Sequence, residues 1–137
     1  MATVKETDCE AVLFANDAFY AAFAVGDIAA MRDVWAWDAP VSCIHPGWDA
    51  LTDARDVLAS WEGILREPPQ IRCHAPRALA YGDTAVVICF EEISGSFLLA
   101  TNVFVREGAR WRMVHHHAGV TNATPPATDD QPPRSIN

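Results

Sequence analysis

Three of the chain's five histidines stand side by side, His115, His116 and His117, in the run WRMVHHHAGV. Imidazole changes charge near neutral pH and, when neutral, ligates metals, so the run points to proton transfer or metal binding. It is internal and flanked by apolar residues, unlike an appended tag. Side chains alternate along a strand, so Trp111, Met113, His115 and His117 share one face, and Arg112, Val114, His116 and Ala118 the other. The first set holds the large apolar residues that a helix layer covers, so that face is read as inward. His115 and His117 then lie about 6.6–6.8 Å apart along the strand. A hairpin through EGAR that pairs Arg106 with Trp111 sets Phe104 opposite Met113, Asn102 opposite His115 and Ala100 opposite His117. His115 beside the Asn102 carboxamide is the candidate proton acceptor and His117 the group that returns the proton, making these two the candidate catalytic residues. The competing reading is structural: two inward imidazoles that only satisfy a polar spot in the sheet.

Around them stand candidate ligand-binding residues. His45 ends a strand in VSCIHPGWD, Pro46 and Gly47 force a turn, and Trp48 follows as an aromatic wall at the pocket rim. Asn102, Phe104 and Tyr20 line the interior in this reading, Tyr20 with a hydroxyl to lend. Two histidines at i, i+2 could hold one ion, with His45 or His74 as a third ligand. Glu91 or Glu92 could face inward, but not both, and no carboxylate is placed firmly enough to complete a metal site. No metal and no cofactor are therefore assigned.

The elements that must position these residues follow from period and punctuation. Residues 8–25, DCEAVLFANDAFYAAFAV, read as a largely buried helix opened by Asp8 and closed by Gly26. Asp27 caps a second helix, IAAMRDVWA, which Pro40 breaks. Residues 41–45 are a short strand. DARDVLASWEGIL places Val57, Leu58, Trp61, Ile64 and Leu65 on one helical stripe, with Asp49, Asp53 and Asp56 near its positive end. From residue 70 the period changes to two. IRCHAPRALAY must accommodate Pro76, which suits an edge position or a bulge. TAVVICFEE, SFLLATNVFVR and WRMVHHHAGV follow as successive antiparallel strands. Trp35, Trp61 and Trp111 fall on apolar stripes and read as core.

The bulk properties bound the function. With 137 residues the chain makes one domain. A net charge of −8 without a Lys/Arg cluster argues against nucleic acid or an anionic membrane as partner. No apolar run approaches the roughly 20 residues of a membrane span. The polar, acidic beginning lacks the features of a signal peptide, so the expected location is cytoplasmic. Four cysteines, Cys9, Cys43, Cys73 and Cys89, lie far apart and read as buried small side chains rather than a framework. Residues 1–121 form the domain, and the Pro-rich segment 122–137 reads as a disordered tail.

The element order and the phrases CIHPGWDAL, DVLASW, ATNVFVR and WRMVHHHAG resemble the nuclear transport factor 2-like (NTF2-like) superfamily, in its SnoaL-like branch. The resemblance implies a cone-shaped α+β fold: N-terminal helices packed on a strongly curved antiparallel sheet around a pocket, with homodimers formed through the outer sheet face. It implies a small, largely apolar organic ligand, and in the enzymes of the superfamily isomerisation, dehydration or cyclisation, often through a sheet-borne carboxylate or an Asp–His pair. The superfamily also contains non-catalytic members that only bind or assemble, such as a kinase association domain, so the fold leaves enzyme and module both open. At the inward positions read above, no acid stands beside His115 and His117. That sets the chain apart from the carboxylate pattern.

Overall fold

The computed structural model describes residues 3–127. The segment 128–137, the greater part of the expected tail, lies outside the described residues. Three helices precede most of the sheet. Helix α1 (Val4–Val25) begins earlier than its apolar pattern suggests: Thr3 and Glu6 form a reciprocal capping box, which adds a polar first turn ahead of Asp8. It ends at Gly26, whose φ of 73° is the left-handed conformation that closes helices. Asp27 caps α2 (Ile28–Val34), and Asp53 caps α3 (Ala54–Ile64) by accepting from two backbone N–H groups of the first turn.

Five strands form one sheet: β1 (Ser42–Ile44), β2 (Ile71–Tyr81), β3 (Thr84–Ile93), β4 (Ser96–Glu107) and β5 (Arg110–Val120), in the spatial order β1-β5-β4-β3-β2. β2 to β5 form an antiparallel meander, while β1 runs parallel to β5 and makes the sheet mixed. The α+β fold class stands, with the sheet left open between β1 and β2. Pro76 is accommodated in both of the anticipated ways, since β2 is an edge strand and its register slips between His74 and Arg77.

The inner, helix-covered face carries the core. Phe19, Met31, Trp61, Phe104 and Met113 are wholly buried, and Trp35 and Trp111 nearly so. On α1 the residues Asn16, Phe19, Tyr20 and Phe23 lie at i, i+3, i+4 and i+7, a single stripe laid against the sheet. Among the described residues no helix is long and apolar enough to cross a membrane, and all four cysteines are free thiols.

Candidate functional site

The β4–β5 register decides which histidine goes inside. Arg106 pairs with Trp111 and Phe104 with Met113, as the hairpin length predicts. One residue later the register slips, so that Val103 faces His115, Asn102 faces His116 and Thr101 faces His117. Val114 is the extra residue of a β-bulge, and the bulge inverts the phase of everything beyond it. The expected orientation of His115 and His117 is therefore corrected. Both project from the outer face, His115 half-buried and His117 exposed, while His116 is 1% exposed inside.

The inner-face row through this point reads Ala78, Val87, Asn102, His116, Cys43 across the five strands. Glu91 lies on the same face of β3 as Val87 and Cys89, and it is buried to 1%. Glu92, its neighbour, points outward to His74 Nε2 at 2.8 Å. Sequence reasoning left the choice between these acids open, yet alternation from Ala85 through Val87 and Cys89 leads to Glu91 as the inward one.

Helix and sheet meet in a buried polar network. Asn102 Nδ2 donates to Asn16 Oδ1 at 2.9 Å and to the Tyr20 hydroxyl at 3.2 Å. Its Oδ1 is thus the acceptor for His116 Nδ1–H at 2.6 Å. Tyr20 in turn donates to Glu91 Oε2 at 2.6 Å, with Cys89 Sγ 3.3 Å from the same hydroxyl. This fixes the tautomer of His116: Nδ1 carries the proton and Nε2 keeps its lone pair, 3.7 Å from Glu91 Oε2. The pair lies within ion-pair range but is not an ion pair at neutral pH. Burial, aided by repulsion from the neighbouring imidazoles of His45, His115 and His117 when they take up protons, pushes His116 down to about 3. Burial pushes Glu91 up to about 7 against the Tyr20 hydrogen bond, which lowers it. Burial and then Glu91 hold the Tyr20 phenol protonated.

Aromatic rings join this network to the surface. His116 touches Phe19 and Trp61, with ring centroids 4.9 and 5.8 Å away. His45 stands 6.5 Å from His116 and 4.9 Å from Trp61, its Nε2 2.8 Å from Ser60 Oγ. Burial lowers His45 to about 4. Trp48 lies over His45 at 4.7 Å and is 50% exposed, on a turn where Gly47 adopts φ 82°. The Trp61 indole N–H is buried with no hydrogen-bond partner among the described residues.

Of the residues expected from sequence, the structure brings Tyr20, Asn102 and His45 together inside. Trp48 sits at the outer end of the ring series, and Phe104 is packed in the core one row from Asn102. Asn16, Glu91 and His116 join the site in place of His115 and His117. Surface cavities among the described residues lie elsewhere, including one of about 290 Å³ between α1 and the β4–β5 hairpin, one of about 390 Å³ around Arg72 and Glu92, and one of about 350 Å³ around Glu62 and Arg66.

A long helix and two short ones covering one face of an open five-stranded sheet, with a carboxylate and an imidazole buried between, define a protein of the NTF2-like superfamily. The chain belongs to the SnoaL-like domain family, which matches residues 12–123. A protein from Streptomyces avermitilis assigned as a dehydratase of the NTF2-like family superposes with a TM-score of 0.79 and 36% identity, covering 85% of this chain and 98% of that one. A protein from Thiobacillus denitrificans, assigned as a calcium/calmodulin-dependent protein kinase type II association domain, gives 0.70 and 34%, covering 79% and 93%. F-box protein SKIP8 of Arabidopsis thaliana is 28% identical over 114 residues, 80% of this chain and 49% of that protein. The chain thus spans about half the length of this curated relative.

Proposed function

We propose that the chain binds a small, largely apolar organic molecule at the Tyr20–Glu91–Asn102–His116 network and moves a proton on it, in an isomerisation, dehydration or cyclisation without cofactor. The observation that carries the reading is Glu91: a buried carboxyl whose pKa of about 7 lets it both take and give a proton at neutral pH. Tyr20, held protonated, donates to Glu91 in its ionised form, and neutral His116 presents a lone pair on the other side. His116, pushed down to about 3, is a poor base. The proton-transfer role expected of His115 and His117 therefore passes to Glu91, with His116 orienting. The unpartnered Trp61 N–H offers a donor to a ligand oxygen beside the same rings. His45 and Trp48 mark the way in. Likeness to the Streptomyces avermitilis dehydratase favours this class of chemistry.

The rival is a non-catalytic assembly or ligand-sensing module, favoured by the likeness to the kinase association domain. Both readings include a homodimer through the outer sheet face, where Leu79, Val86 and Val103 form an apolar cross-strand row. The test is deuterium exchange at carbon next to the carbonyl, followed by NMR in D₂O over a panel of cyclic and aryl ketones. The expected result is accelerated exchange of at least one ketone, lost in Glu91→Gln and rising with pH through about 7 as Glu91 ionises. Exchange at the background rate throughout, with a stable assembly in sedimentation that Glu91→Gln leaves intact, would establish the module instead.

A further inference from the structure

The bulge that takes His116 into the interior leaves His115 and His117 together on the opposite face of β5, two residues apart, with ring centroids 6.3 Å from each other. Each closes a cross-strand row. One runs Leu79, Val86, Val103, His115, Ser42; the next runs Arg77, Ile88, Thr101, His117, Ile44. The residues flanking the two imidazoles on β4 and β1 are uncharged, so no carboxylate or ammonium group in these flanking positions competes for the rings.

Ser42 adds the second observation. Its hydroxyl oxygen lies 2.7 Å from His115 Nδ1. A serine hydroxyl accepts as well as donates, so Nδ1 can give its proton to this bond while the Nε2 lone pair is directed away from Ser42. Holding one ring nitrogen with a protein acceptor so that the other is free is how metal-ligating histidines are oriented.

We propose that His115 and His117 form a two-imidazole clip for a divalent transition-metal ion of the zinc, nickel or copper class, with water filling the remaining positions. Two imidazoles sharing a tetrahedral ion, with metal–nitrogen bonds of about 2.0–2.1 Å, hold their ring centres about 5 Å apart. The observed 6.3 Å closes by rotation of the exposed His117 side chain. Among the described residues no group of three or more His, Cys, Asp or Glu converges on one point, so the clip offers two protein ligands and stays open. It lies across the sheet from Glu91 and does not depend on the chemistry proposed for that network, and it borders the proposed homodimer row at the β5–β1 end of the outer face. It also goes beyond the sequence reading, which assigned no metal.

Calorimetric titration of the full chain with Ni²⁺ and Zn²⁺, beside electron paramagnetic resonance with Cu²⁺, tests the clip. One ion per chain is expected, with coupling to two imidazole nitrogens. His115→Gln and His117→Gln should each reduce the coupling to one nitrogen and weaken binding at least about tenfold. Both variants replace side chains outside the core, and urea unfolding verifies that they fold as wild type. Absence of binding at millimolar metal overturns the proposal. So does affinity that is unchanged in either variant, which would move the ion to other ligands.

Discussion

Replacing Glu91 by Gln should stabilise this protein, and the gain should depend on pH in a way that identifies its cause. Gln keeps the shape of the side chain and an oxygen that accepts from the Tyr20 hydroxyl, but it never ionises. In the unfolded chain Glu91 loses its proton near 4.5, and in the folded protein at about 7. Between those values the folded state binds more protons than the unfolded one, so the stability Glu91 contributes in its protonated form is complete below 4.5 and is lost as pH rises through about 7. The difference of about 2.5 pH units, at about 1.4 kcal/mol each, gives about 3 kcal/mol. No discount for solvent screening applies, because the residue is 1% exposed. The assay is urea unfolding of wild type and Glu91→Gln from pH 4.5 to 8.5, with the difference in free energy plotted against pH. Groups common to both proteins cancel in that difference. Glu91→Gln should match wild type at pH 4.5, gain steadily to pH 7 and level off near 3 kcal/mol above pH 8. A difference that is flat with pH, or a variant less stable than wild type at pH 8, would refute the assignment of Glu91 as a buried, proton-holding carboxyl.

Two further outcomes follow from other parts of the fold. His45 and His116 are held neutral by burial, lowered from 6.5 to about 4 and about 3, so the stability they supply is present above pH 6.5 and lost as pH falls toward those values. In the Glu91→Gln background, where the opposing titration is gone, these two groups should together take about 3 kcal/mol per pH unit off the unfolding free energy around pH 5, beside the other groups that titrate there. Adding His45→Gln should remove about half of that contribution, read as the difference between the two variants. Gly26→Ala should lose about 1–3 kcal/mol, read as a lower urea midpoint, because a non-glycine residue must hold a left-handed backbone. Its Cβ would also meet the Leu65 carbonyl oxygen at 2.7 Å.

The elements were legible where one period dominates. α3 carries an apolar stripe on a polar helix, and β2 was read over its observed span because alternation holds on both sides of Pro76. The start of α1 was not, because Val4 to Asp8 offers no apolar periodicity; its signal was the spacing of Thr3 and Glu6, a cap without a stripe. Tyr20, Asn102 and His45 were found as polar types on otherwise apolar elements. The histidine phase failed on a single residue. Unbroken alternation places Met113 and Ala118 on opposite faces, yet both are buried, and only a slip between them satisfies both. That conflict was present in the sequence as an apolar odd position followed by a small even one, but nothing in the hairpin length reveals where the slip falls. Glu91 was obscured for a different reason. β3 is apolar on both faces, since Val86, Ile88 and Phe90 line the outer side, so neither acid at its end was marked by contrast.

The same network can be weighed as structure rather than site, and its members divide. Asn16, Asn102 and His116 form a closed set: each donor has an acceptor, His116 is neutral, and the hydrogen bonds account for their burial. Glu91 does not fit that set. At neutral pH it is poised to ionise under a helix, with no cation beside it, at a cost to the fold that Gln would avoid while keeping the Tyr20 hydrogen bond. Folding alone gives no reason for a carboxylate there. The proton acceptor proposed for this position would account for it, since sites kept for chemistry often yield stability at a buried group.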